Sequence, residues 1–154
     1  MEYRLYSFVN YYLSSIQQGI QTGHAAVKLV REYTSKNQDN QDSQMVSEWA
    51  DNHQTFVVLN GGNSENLLDV IRTVDDSDLP WAYFREDEVS LGGIITAVGV
   101  IVPEIYFNVK IEKDALGNPY YPANPVDGCY YNPICIGHSK YELVKMIKTA
   151  RLAQ

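Results

Sequence analysis

Residues 3–10, YRLYSFVN, and residues 14–34, SSIQQGIQTGHAAVKLVREYT, set a strand directly ahead of a helix. In the first stretch Tyr3, Leu5, Ser7 and Val9 alternate with Arg4, Tyr6, Phe8 and Asn10, the period and composition of a strand. In the second, Ile16, Ile20, Val27, Val30 and Tyr33 recur at spacings of four, seven and three. That is the stripe of an amphipathic helix, weakened by Gly19 and Gly23, which starts at Ser14 or Ser15 and ends near Thr34.

Outward from this pair, residues 35–44 (SKNQDNQDSQ) carry no apolar side chain and predict a mobile loop. Met45–His53 predicts a short helix with Trp49, and TFVVLN at residues 55–60 a second strand ending at Gly61-Gly62. Asn63 or Ser64 can cap a helix holding Leu67, Leu68, Ile71 and Val74. Ala82–Arg85 and Ile94–Val102 predict strands three and four, the latter apolar on both faces as a central strand covered by helices would be. Ile105–Ile111 suggests one more strand, and residues 117–138 a Tyr/Pro-rich arm. Ser139 and Glu142 have the spacing of a capping box, ahead of a terminal helix burying Leu143, Met146, Ile147 and Ala150. The expected class is α/β, a mixed β-sheet flanked by helices: an α/β domain at 1–104, with the strand, arm and helix of 105–154 part of the same unit.

The 154 residues suffice for one core without disulfides or a structural metal. Twelve Lys and Arg against nineteen Asp and Glu give a net charge of −7, which argues against a broad nucleic-acid surface, since that affinity rests on basic side chains releasing counterions. The longest apolar run, Ile94–Pro103, is far short of the ~20 residues of a spanning helix, and Met1–Phe8 has neither region of a signal peptide. A cytoplasmic protein is expected, with Cys129 and Cys135 as free thiols. Cys129, Cys135 and His138 match no recurrent zinc spacing and lack a fourth ligand, so neither a metal nor a cofactor is expected.

The order of elements, with Gly23-His24-Ala25-Ala26 in the first helix, the Trp49 helix, TFVVLN, the Ser64 helix, Phe84-Arg85-Glu86-Asp87 and Ile95-Thr96-Ala97-Val98-Gly99-Val100, resembles the type 2 peptidyl-tRNA hydrolase family over residues 3–104. The resemblance implies that the family histidine falls on His24, the carboxylate after strand three on Glu86 or Asp87, and the strand-four threonine on Thr96. The family lysine falls on Gln17, with Ile16 where its glycine neighbour stands, so the Gly-Lys pair is lost. A glutamine there offers hydrogen bonds without charge.

Each candidate has a plain structural reading beside the functional one. His24 shares a stripe with Ile20 and Val27, so it faces the sheet or rims a pocket at the strand ends. Gln17, Gln18 and Gln21 suit recognition of a base or ribose, or are solvated helix residues. Asn60, ahead of Gly61-Gly62-Asn63, is placed where free amides receive an anion, or marks a turn. Glu86 and Asp87 belong to an acid–base pair or to a solvated loop. Tyr120, Tyr121, Tyr130 and Tyr131 wrap a neighbouring subunit, contact a bound nucleotide, or pack in the core.

These residues point to a non-catalytic homo-oligomer that binds and sequesters a small nucleotide-type ligand. Its ligand set is Gln17, Gln18, Gln21, His24, Asn60, Glu86, Asp87 and the four arm tyrosines. A fitting setting is a phage anti-defence protein that holds a cyclic nucleotide or cyclic-ADP-ribose immune signal in the host cytoplasm. The alternative is an esterase of the peptidyl-tRNA hydrolase type, with His24, Asp87 and Thr96 catalytic. A third reading is a structural or protein-inhibiting oligomer that works through its arm.

Overall fold

Alternation along Tyr3–Val9 (β1) sends Leu5, Ser7 and Val9 to one face of a sheet and Tyr6 and Phe8 to the other. The computed structural model describes residues 1–35, 40–108, 112–113, 115–116, 119–120 and 138–154. After β1 come helix α1 (Ser15–Thr34), helix α2 (Gln41–Glu48) prolonged by one wide turn at Trp49–His53, strand β2 (Thr55–Asn60) and helix α3 (Ser64–Asp76). Strand β3 (Trp81–Arg85), a helical turn α4 (Glu88–Leu91) and strand β4 (Ile95–Pro103) complete the α/β unit. A turn α5 (Glu104–Phe107), two-residue strands β5 (Glu112–Lys113) and β6 (Pro119–Tyr120), and helix α6 (His138–Thr149) follow.

The sheet order is β2-β1-β4-β3, with β1 parallel to β2 and antiparallel to β4, and β3 antiparallel to β4. It is therefore the mixed sheet that the sequence predicts. All nine residues of β4 are buried, as befits an inner strand covered on both faces. α1 lies over the Ser7 face, where Ser7 Oγ and Thr22 Oγ1 share a buried hydrogen bond of 3.0 Å. Phe8 points the other way and lines a cavity with Val70 of α3 and Met146 of α6. The chain end shields the outer edge of β2: Asn60 N–H donates to the Arg151 carbonyl at 2.8 Å, and Ala153 N–H to that of Val58 at 3.0 Å. Pairing an outer strand in this way removes a template for aggregation.

α1 starts where the sequence places it. Ser14 Oγ accepts from Gln17 N–H, and Gln17 Oε1 accepts from Ser14 N–H, a closed capping box. Its buried face, however, is not the aliphatic stripe. Gln18, Gln21, Thr22, Ala25, Ala26 and Leu29 face inward, whereas Ile16, Ile20 and Val27 are exposed. The cause is close packing against the sheet: a Cβ on Gly99 would stand 3.2 Å from Leu5 and 3.8 Å from the Ala25 methyl, so only small residues fit between α1 and β4. The polar members satisfy themselves, Thr22 with Ser7 and Gln18 with the Leu13 carbonyl at 3.1 Å. Burial without an unmade hydrogen bond carries little penalty.

Other expectations need correction. The polar loop is shorter than residues 35–44, because Asn40 accepts from Ser43 N–H and starts α2 at Gln41, burying Met45 and Val46. Ile105–Phe107 is helical rather than extended, which lets Phe107 pack on Tyr6 and under the Arg4 guanidinium. Leu68 is 44% exposed, and α3 instead buries Leu67, Val70 and Val74. α6 begins at His138, so Ser139 lies inside its first turn and not at the cap; Leu143, Val144 and Ile147 are its buried residues. No helix among the described residues is long and apolar enough to cross a membrane.

Candidate functional site

β3 is the outer strand of the sheet, and α1 runs beside it, so the two elements form the walls of a groove. On the buried side of α1 stands Gln21, only 6% exposed. Its Nε2 donates to Glu86 Oε1 at 2.5 Å, and its Oε1 accepts from Thr96 Oγ1 at 3.1 Å. Only the NH₂ end of an amide can serve a carboxylate, so this pair fixes which way the amide points. Thr96 reaches α1 because the β3–β4 register skips it: Phe84 pairs with Ala97 and Arg85 with Ile95. A bulge re-aims the residue it leaves unpaired. The Thr96 hydroxyl is wholly buried and also lies 3.4 Å from the Phe84 carbonyl.

One turn along α1 the chemistry changes sign. The His24 ring meets Phe84 edge to face at 4.5 Å, and Lys28 Nζ sits 4.5 Å above the Tyr83 ring. His24, Lys28 and Arg31 follow one another at spacings of four and three, which places all three on one side of the helix. They line a cavity of about 690 Å³ floored by Phe84 and bordered by Glu32. From Gln21 to Lys28 the helix rises about 10 Å, and to Arg31 about 15 Å. The cavity wall is thus basic and aromatic, with Lys28 beside it over the Tyr83 ring, and the Thr96–Gln21–Glu86 chain lies outside its lining.

The expected site residues divide among different places. His24 lines this cavity, whereas Gln21, Glu86 and Thr96 form a separate hydrogen-bonded chain in which Gln21 and Thr96 are buried. Asp87 follows Glu86 on an exposed loop that its own carbonyl closes by accepting from Gly93 N–H at 3.2 Å. The side chain of Gln17 belongs to the cap of α1, and that of Gln18 is turned under the helix to Leu13. Asn60 lies across the sheet, in a second cavity of about 430 Å³ with Phe8 and Arg151, where its Oδ1 accepts from Gly62 N–H at 2.9 Å. Tyr120 ends β6, and Tyr121, Tyr130, Tyr131, Cys129 and Cys135 fall outside the described residues. Lys28, Arg31 and Phe84 were missed by the sequence reading. Their signal was present as basic groups at positions 24, 28 and 31 of one helix, on a chain otherwise rich in acid.

The model of the family described as peptidyl-tRNA hydrolase PTH2 matches residues 13–106, from just before α1 to just after β4. The chain belongs to the PTH2 family. The match spans both walls of the groove, so Gln21, His24, Phe84, Glu86 and Thr96 all stand on the family scaffold. Comparison with curated proteins finds no match.

Proposed function

We propose that the chain binds a small nucleotide-type ligand in the α1–β3 groove and holds it without turning it over. The observation that carries this reading is the gathering of His24, Lys28 and Arg31 around Phe84 in one cavity, on a chain whose net charge is −7. Phosphate oxygens suit Lys28 and Arg31, and a base suits the face of Phe84 beside His24. A cavity of about 690 Å³ accommodates one or two linked nucleotides better than a polymer. A non-catalytic role rests on Gln17. The family resemblance sets it where a lysine stands, and its side chain is taken up by the cap of α1. In this reading the protein withdraws a signal of the cyclic-nucleotide or cyclic-ADP-ribose kind, as a phage anti-defence protein in the host cytoplasm would.

A second reading is an esterase acting on aminoacyl or peptidyl groups. It is favoured by the family match and by the Thr96–Gln21–Glu86 chain at the strand ends.

The test is thermal unfolding against linear and cyclic nucleotides and aminoacyl esters, with mass analysis of each ligand after recovery. A ligand at 100 times its Kd adds about 2.7 kcal/mol, or roughly 5–10 °C for a chain of this size. A shift with the ligand intact, lost in Lys28→Ala/Arg31→Ala, is the expected result. A chemically altered ligand moves the assignment to the esterase, and no shift across the panel overturns the binding proposal.

A further inference from the structure

The cavity on the far face of the sheet from the groove lies between α3, α6 and the carboxyl end of β2. It sits where the fold changes sides. β1 and β2 are parallel neighbours, yet the chain leaves β1 for α1 on one face and β2 for α3 on the other. Open α/β sheets place ligands at such points, outside the carboxyl ends of the strands. The volume, about 430 Å³, is that of a small-molecule site. Its floor is apolar: Phe8 and Val70 are buried and Met146 is half-buried. Its rim offers donors. Asn60 Oδ1 accepts from Gly62 N–H and Asn66 Oδ1 from Asn63 N–H, so each amide keeps an NH₂ end without a partner among the described residues. Arg151 has no ion pair among the described residues either, whereas Asp69, the carboxylate of the same lining, is matched by Arg72 at 2.6 Å. The main chain fixes Arg151 beside the cavity, its carbonyl accepting from Asn60 N–H at 2.8 Å and Ala153 N–H donating to Val58 at 3.0 Å.

We propose that this cavity is a second ligand site and that it takes a small monocarboxylate with an apolar body, of the aryl- or branched-alkyl-acetate kind. The Arg151 guanidinium pairs with the carboxylate, since its planar fork serves both oxygens at once, and the free amide ends of Asn60 and Asn66 add hydrogen bonds. The hydrocarbon lies on Phe8, Val70 and Met146. A phosphate monoester suits the site less, because its second charge finds no second cation in the lining and Asp69 repels it. The site shares no residue with the α1–β3 cavity and does not depend on what that cavity holds.

The test reads the floor directly. Of the three methionines, Met146 lines this cavity, whereas Met45 is buried on α2. In protein carrying ¹³C in its methionine methyl groups, phenylacetate should move the Met146 signal saturably and leave that of Met45 in place, with a Kd of about 1–10 mM, the range open to about ten heavy atoms. Met146→Leu assigns the signal. Phenylacetamide, the same body without the charge, should bind at least about tenfold more weakly. Arg151→Gln should weaken phenylacetate by a similar factor and leave phenylacetamide unchanged; the bonds that hold this stretch to β2 are main-chain, so the substitution spares them. Ala150→Phe, which sets a ring in the cavity, should remove the response to both probes with an unchanged circular dichroism spectrum. No movement of Met146 up to about 50 mM phenylacetate overturns the proposal. So does an equal affinity for acid and amide, an equal movement of Met45, or phenylacetate binding that survives Arg151→Gln undiminished.

Discussion

Replacing Gln21 by methionine keeps the length of the side chain and removes both of its hydrogen bonds. The bond to Glu86 is charge-assisted, a class worth about 1.5–3 kcal/mol, but Glu86 is half-buried and water takes over part of it. Thr96 is wholly buried and falls back on the Phe84 carbonyl at 3.4 Å, near the outer limit of a useful bond. The thioether gains some apolar burial in return. The expected net loss is about 2 kcal/mol, or roughly 4–8 °C in Tm. Thr96→Val should cost about 1–2 kcal/mol, because it leaves the Gln21 oxygen buried without its donor. The pair Gln21→Met/Thr96→Val should then be at least about 1 kcal/mol more stable than the sum of the single losses predicts, since the buried Thr96 hydroxyl and the Gln21 oxygen that would be orphaned in the single variants are removed together. Urea unfolding followed by circular dichroism at constant m-value measures all three. A Gln21→Met protein within about 0.5 kcal/mol of the native one, or strict additivity of the pair, would refute the claim that Gln21 joins Thr96 to Glu86.

Two further predictions concern the scaffold. Burial raises the Tyr6 phenol above its ordinary value near 10, against an opposing pull from Arg4, and burial likewise raises Tyr33, whose oxygen accepts from Trp81 N–H. A phenol raised on folding stabilises fully below about pH 10, and that contribution disappears as pH rises through its folded value; Tyr6→Phe should therefore flatten the fall of the urea midpoint between pH 10 and 11, and an unchanged slope counts against the burial. Gly61→Ala would set its Cβ against Leu67, as well as 3.1 Å from the Phe8 backbone, and should cost about 1–3 kcal/mol in the same urea assay, whereas a neutral result would show that α3 can give way there.

What the sequence revealed and concealed follows from the range of the forces involved. The ends of α1 and the course of β1, β2 and β4 were legible because a serine three residues ahead of Gln17, or a β-branched run closed by two glycines, acts within a few residues. The inward face of α1 was not. Counting aliphatic residues selects Ile16, Ile20 and Val27, but the choice was made by Gly99 and Leu5 on strands far along the chain, which admit Ala25 and exclude anything larger. The helical turn at Glu104–Phe107 was hidden for a similar reason: its composition suits a strand, and what holds it is the approach of Phe107 to Tyr6 and Arg4. The start of α2 was missed because an asparagine cap was read as one more polar loop residue.

The two readings of the groove make different demands on its residues. A hydrolytic site needs a base within hydrogen-bond reach of the attacking water and a donor where negative charge develops. Glu86 is held by the Gln21 amide, His24 is packed by its ring against Phe84, and Gln17 is folded back on its own cap. Each of these groups is thus held in place by a neighbour. Lys28 and Arg31 lie about two and three turns further along α1 than Gln21, a rise of about 10–15 Å along the helix.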